Sequence, residues 1–171
     1  MSIRAASERF MSAWRSFFHY LARQGVLETW SGYPYTLRTF GNALYLATYN
    51  GVDVYDLANP QAPSLVTTLF GGFPCYGLEL NDGLLFVKGM GAGNQYLLSS
   101  FSLEDPLDPE PFAQQPTGPS TLQGMSSRDG VLFSIEGFDL VSYDISQAGI
   151  IEPISSIQLA CWSFLITASQ E

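Results

Sequence analysis

Apolar and polar positions along this chain keep two different rhythms. Between residues 5 and 24, Phe10, Trp14, Phe17, Phe18 and Leu21 recur at three- and four-residue steps, one stripe of a helix with 3.6 residues per turn. Glu8, Arg9, Ser12, Arg15, Ser16 and Arg23 fall mostly off that stripe. Ser2 or Ser7 suits the start and Gly25 the stop. The spacing predicts an amphipathic helix, with residues 1–30 as helix and connector. From Tyr35 onward the rhythm drops to two. Runs of four to seven β-branched, aromatic and leucine residues, broken by Gly, Asn, Asp and Pro, read as strands. Asn42-Ala43, Asn81-Asp82-Gly83 and Arg128-Asp129-Gly130 are turn signals ahead of strands. Asn50-Gly51, at loop length two, predicts a type I′ hairpin. Gly137 holds a similar place later, and Gly89–Gln95 reads as a swollen version. The Pro- and acid-rich stretch from Ser102 to Pro119 reads as an irregular surface loop.

The strand region repeats itself. Asn42-Ala-Leu-Tyr-Leu-Ala-Thr48 is followed, two residues on, by Gly51-Val-Asp-Val-Tyr-Asp-Leu-Ala-Asn-Pro-Gln-Ala-Pro-Ser-Leu-Val66. Fainter copies are Asp82-Gly-Leu-Leu-Phe-Val-Lys88 with Tyr96-Leu-Leu-Ser-Ser-Phe-Ser-Leu103, and Asp129-Gly-Val-Leu-Phe-Ser134 with Phe138-Asp-Leu-Val-Ser-Tyr-Asp-Ile145. Aligning Leu44, Leu84 and Val131 gives spacings of 40 and 47 residues; aligning Asp56, Ser102 and Asp144 gives 46 and 42. Both sets average about 44, the period of a four-stranded propeller blade. The expected fold is therefore all-β, a partial or small β-propeller of about three to four blades, with the amphipathic helix in front of it. The repeat domain spans 31–171, with repeats at 37–75, 76–120 and 121–159 and the start of a fourth at 160–171, where Ala160-Cys-Trp-Ser-Phe-Leu-Ile-Thr167 reads as an apolar strand. An irregular β-sandwich of the same strands is the alternative. Propellers close with roughly four to eight blades, so three copies and one strand do not close a ring in the usual way. Either residues 25–41 supply further strands, or the chain is a fragment, or several chains close the ring together.

The segment from Gly51 to Val66 resembles the LVIVD-type repeat of β-propeller proteins. In that family a strand ending in an apolar-Asp pair leads into an Asp-x-x-x-Pro-x-x-Pro turn and then an apolar strand. Asp56, Pro60 and Pro63 match position for position, and Gly41–Ala47 matches the preceding strand. The second copy keeps Asp105-Pro-Leu-Asp-Pro109 but has Ser102 in place of the first Asp. The third keeps Asp144 but has Gln147-Ala-Gly149 where prolines are expected. The resemblance covers roughly 40–160. It implies blades and no particular reaction, because one propeller fold hosts many functions. The motif also has a physical sense of its own. An Asp after an apolar strand accepts backbone N–H groups in an Asx-turn, and Pro60 and Pro63 remove donors so that the connection cannot slip into strand pairing.

Composition narrows the choices. Of 171 residues, 46% are hydrophobic, 14% aromatic and only 13% charged, with 16 Gly and 10 Pro. That suits an all-β protein with many turns and excludes a coiled coil or a disordered chain. The net charge of −9 is unevenly placed. Arg4, Arg9, Arg15, Arg23 and Arg38 stand against Glu8 and Glu28 in the first 38 positions, a local +3; Lys88 and Arg128 stand against fourteen acids in the rest, a local −12. The repeat region should repel nucleic acid, and membrane contact is expected only through the N-terminal helix. No apolar run of 18 residues is present and arginines punctuate the first 30, so neither a transmembrane helix nor a secretory signal is expected. The sequence predicts a cytoplasmic protein. Cys75 and Cys161 have neither CxxC spacing nor a His neighbour and read as two buried free thiols, with one disulfide between them as the alternative.

No catalytic constellation stands out. His19 is the single histidine, on the helix between Phe18 and Tyr20, and builds no zinc site alone. Gly89-Met-Gly-Ala-Gly93 is followed by a strand pattern, where a phosphate-cradling loop needs a helix N-terminus. Glu104, Asp105, Asp108 and Glu110, broken by Pro106 and Pro109, do not have Ca²⁺-loop spacing. Glu79, Glu136 and Asp139 flank apolar strands and are the acids from which a hydrolytic carboxylate pair could be drawn. No catalytic, cofactor-binding or metal-ligating residue is assigned, and no cofactor is expected. The expected function is a non-enzymatic binding or scaffold module presenting blade loops to a partner; the alternative is a carboxylate-dependent hydrolase acting at the propeller mouth. Phe10, Trp14, Phe17, Phe18 and Leu21 form the candidate interaction surface. Burying such side chains is worth about 1.5–3 kcal/mol each, which points to self-association, most simply a homodimer.

Overall fold

Among the described residues, every short apolar run after Tyr33 becomes a strand. The computed structural model describes residues 33–119, 124–147 and 150–159. Within them lie twelve strands and, at Ala92–Asn94, one short 3-10 turn. The strands form three antiparallel sheets of four. The first joins β1 (Pro34–Phe40), β2 (Ala43–Thr48), β3 (Gly51–Asp56) and β4 (Ser64–Leu69). The second joins β5 (Cys75–Asn81), β6 (Leu84–Met90), β7 (Tyr96–Ser102) and β8 (Glu110–Pro116). The third joins β9 (Met125–Arg128), β10 (Val131–Glu136), β11 (Asp139–Asp144) and β12 (Glu152–Gln158). In each sheet the strands lie side by side in chain order, and the sheets meet along their first strands, β1 beside β5 and β5 beside β9.

The three sheets repeat one another in detail. Pairing between third and fourth strands shifts at Val54/Tyr55, at Ser100/Phe101 and at Ser142/Tyr143, three aligned positions. After each third strand the next N–H reaches back to the first turn: Leu57 to Asn42 O (2.7 Å), Leu103 to Gly83 O (2.9 Å) and Ile145 to Gly130 O (2.8 Å). A second turn bond follows in all three, Ala62 N–H to Asn59 O, Asp108 to Asp105 O and Ile150 to Gln147 O. The Asx-turn expected of Asp56 and Asp144 is present. Asp56 Oδ1 accepts from Ala58 N–H at 2.7 Å and Asp144 Oδ1 from Ser146 N–H at 2.8 Å. Ser102 Oγ makes a longer version to Glu104 N–H at 3.4 Å. Hydrogen bonding by Ser146, from its side chain first and its N–H second, also holds the Asp144 carboxyl below its usual range.

Stacking the sheets leaves β2 and β6 buried on both faces. Ala43, Tyr45, Ala47, Val52 and Val54 of the first sheet pack on Leu78, Leu85, Val87 and Phe101 of the second. Phe86 and Leu98, on the opposite face of the second sheet, pack on Met125, Leu132 and Tyr143 of the third. That is why β6 reads as a continuous apolar run rather than an alternating one. Leu44, Leu46 and Tyr55 form a third cluster on the other face of the first sheet.

Three expectations change. The stretch from Ser102 to Pro119 is not irregular throughout: β8 occupies Glu110–Pro116. It is a sheet edge with a partner on one side only, and Pro111 sits at the register shift, the setting in which a strand tolerates a missing donor. The first hairpin turns on Tyr49-Asn50, because Thr48 pairs with Gly51. Neither loop residue has positive φ, whereas Gly51 has φ 133°, so the turn is not type I′. The type I′ signature falls instead on Asp82-Gly83 (φ 47° and 74°) and Asp129-Gly130 (φ 52° and 75°). The expected swollen loop is shorter than Gly89–Gln95, since Gly89 and Met90 pair with Leu97 and Tyr96. The N-terminal helix and the strand predicted at Ala160–Thr167 lie outside the described residues.

Candidate functional site

The topology sorts side chains between two ends. At one end lie the turns after each first and third strand. They carry Asp56, Asp82, Glu104, Asp105, Asp108, Asp129 and Asp144, with Glu110 and Glu152 just beyond them. Those nine are most of the thirteen acids among the described residues, which hold only Arg38, Lys88 and Arg128 as bases. Asp105 is committed to its own turn, accepting Leu107 N–H at 3.0 Å. Among the described residues no group of three or more His, Cys, Asp or Glu side chains is placed to hold a metal ion.

The opposite end is aromatic. Tyr33 and Tyr49 are exposed, and Tyr49 N–H donates to Tyr33 O at 3.2 Å. Tyr35 meets Tyr76 edge to face, with centroids 5.3 Å apart. Burial first, then nearby Tyr96, Tyr35 and Tyr49, raises the pKa of the Tyr76 hydroxyl. The Tyr76 hydroxyl donates to Met90 Sδ at 3.4 Å. Tyrosine offers a rigid, amphipathic contact surface at low entropic cost.

Between these ends the structure holds two polar networks. In the first, the Glu79 carboxylate on β5 accepts from Arg38 Nη2 of β1 at 3.0 Å, and from the N–H and Oγ of Ser127 of β9 at 2.9 and 3.0 Å. One side chain thereby ties together the first strands of all three sheets. In the second, Lys88 of β6 is fully buried with its ammonium inside the third sheet. It donates to Ile135 O at 2.9 Å, to Ser134 Oγ at 3.3 Å and to Gly124 O at 3.5 Å. Desolvation lowers its pKa to about 8 despite the opposing pull of Glu136. Glu136 Oε2 accepts Gly118 N–H at 2.8 Å, and its Oε1 takes a very short bond from the Tyr143 hydroxyl. Burial, then that bond, pushes the Tyr143 hydroxyl up.

A hydroxyl beside a lysine of lowered pKa is the chemical set of a Ser–Lys nucleophile pair. Here both Lys88 and Ser134 have 0% exposure, so a substrate has no approach to either, and the network reads as structural. Nor does the structure unite the acids singled out in the sequence. Ser127, which Glu79 grips, stands opposite Leu132, and Glu136 lies four residues further along β10, about 13 Å at ~3.3 Å per residue. Glu136 and Asp139 do face each other across the β10–β11 pair, but both oxygens of Glu136 are already engaged. Sequence reasoning missed Lys88. Its signal was a lone charge two residues after Phe86 in a strand apolar on both faces. Cys75 is a free, buried thiol pushed up to about 12 by burial, which makes it inert. His19, Cys161 and the stripe Phe10, Trp14, Phe17, Phe18 and Leu21 lie outside the described residues.

No protein-family model matches the chain, and no curated protein matches it either. Among solved structures it is similar to a chain of an S. cerevisiae complex of Dbp5 bound to Nup159, Gle1, IP6 and ADP, at 18% identity and a TM-score of 0.44. That likeness covers 74% of this chain and 30% of the other. Among the described residues, no helix is long and apolar enough to cross a membrane.

Proposed function

We propose that this chain is a partial β-propeller of LVIVD-like blades that serves as a non-enzymatic binding or scaffold module. The observation that carries the reading is the threefold repetition of one unit: four strands in chain order, the same third-to-fourth register shift and the same turn bonds. First strands side by side are the arrangement of blades around an axis. Such a scaffold leaves its loops as the variable surface, and here they differ sharply, acidic at one end and tyrosine-rich at the other. The polar networks between them are consumed by holding sheets together. A cytoplasmic location and self-association into a homodimer belong to this reading, to be checked by fractionation and by light scattering.

The test is co-purification from cell extract, compared between the unaltered chain and two loop variants. One variant replaces Tyr33 and Tyr49 by Ala; the other replaces Asp105 and Asp108 by Asn. A binding module loses a captured partner in one variant and turns over neither chromogenic esters nor glycosides. Turnover that disappears in Glu79→Gln or Glu136→Gln, with folding intact, would establish the hydrolase instead.

A further inference from the structure

Lys88 is an expensive way to join two sheets. Its side chain leaves β6 between Gly77 and Leu98, its neighbours on β5 and β7, neither of which titrates. It ends among acceptors that belong to the third sheet or lead into it: Ile135 O, Ser134 Oγ and Gly124 O. Gly124 O, which also accepts Ile135 N–H at 3.0 Å, is the most distant of the three, so the ammonium relies chiefly on one carbonyl and one hydroxyl. From β10 the charged group facing it is Glu136, which is bound to Tyr143 of β11 and to Gly118. Glu79 of β5 is turned to Arg38 and Ser127, and Arg128 at the end of β9 is held by Asp129. Among the described residues no carboxylate hydrogen-bonds the ammonium directly, and a buried charge is costly unless paired.

We propose that the junction of the second and third sheets is a proton-linked joint, with Lys88 as the titrating group: the third sheet docks more firmly when the amine is neutral and is loosened when it is protonated. The direction follows from burial. The docked lysine binds its proton more weakly than the free one, about 8 against 10.5. Undocking therefore takes up a proton between those values, and docking strengthens as pH rises through that window. Below about 8 both states are protonated and the dependence vanishes.

Amide hydrogen exchange of the full chain from pH 7 to 9, corrected for intrinsic exchange rates, reads the joint directly. Peptides from β9 to β11 should gain about tenfold in protection over that range relative to β2 and β3 of the same molecule. In Lys88→Met the profile should be flat. In Glu136→Gln, which removes the carboxylate that favours the ammonium, the rise should begin at lower pH; this variant and the unaltered chain decide the matter even if Lys88→Met does not fold. A flat profile in the unaltered chain, a rise retained in Lys88→Met, or an onset unmoved by Glu136→Gln would overturn the proposal.

Discussion

Individual residues in this protein are perturbed mainly by burial. Cys75, Tyr45 and Tyr55 are each pushed up to about 12, desolvation being the first cause in every case, because the charged form would lose water without gaining a partner. Tyr45 keeps its proton and donates it to Pro106 O at 2.7 Å, pinning the second sheet's turn to the first. The linkage has a definite sign. A buried thiol with a raised pKa contributes stability that is fully present below its unfolded value of 9.0 and is lost as pH rises toward the folded value. Cys75→Ala should therefore be the less stable protein at pH 8, where it leaves a small cavity. It should gain on the unaltered chain by about 2 kcal/mol by pH 10.5, at about 1.4 kcal/mol per unit. Paired denaturant titrations across that range measure the difference, and Lys88 cancels because both proteins carry it.

At the scale of the element, turns set the registers. Gly51 opens β3 at φ 133°, and a Cβ there would come within 2.4 Å of Leu69 O on the neighbouring strand. Gly51→Ala should cost about 2–3 kcal/mol, from the strained φ and a clash with backbone that cannot step aside; thermal melts would show it. The Pro-x-x-Pro turn divides its labour differently. Pro60 is exposed, whereas Pro63, Pro109 and Ile151 fill the same buried slot in the three units. What that slot requires is apolar volume, and proline is one way to supply it. Pro60→Ala should change stability by less than about 1 kcal/mol, acting through the unfolded chain. Pro63→Ala should cost about 1.5 kcal/mol for lost apolar burial, and Pro63→Ile should recover most of it. An exposed turn would instead give equal effects at both prolines.

The whole molecule is held by clamps between sheets as well as by its core. Glu79 is the clearest of them, since one carboxylate serves β1, β5 and β9. Glu79→Ala should cost about 2–3 kcal/mol, because hydrogen bonds to a charged group are worth about 1.5–3 kcal/mol and the Ser127 N–H would be left without its acceptor. The effects of Glu79→Ala and Arg38→Ala should not add, because they share one network. Chemical denaturation of the singles and the double resolves the coupling, and full additivity would show that the Arg38 contact contributes nothing.

Strand periodicity, the Asp-Gly turns and the Asx-turn residues Asp56 and Asp144 were all legible in the sequence, since each acts through its immediate chain neighbours. The average spacing of about 44 residues likewise announced a repeating strand unit. Three things were decided only in space. β8 hides in a proline-rich stretch because an edge strand needs donors on one side only, a fact of its neighbours rather than of its own residues. Lys88 looks in sequence like any charge on a strand; the third sheet buries it. Glu79, Glu136 and Asp139 looked equivalent as acids beside apolar runs. The arrangement of sheets gave Glu79 to the junction of first strands, through Arg38 and Ser127, roughly forty or more residues away in the chain, which no local pattern encodes; Glu136 went to Tyr143 across its own hairpin and to Gly118.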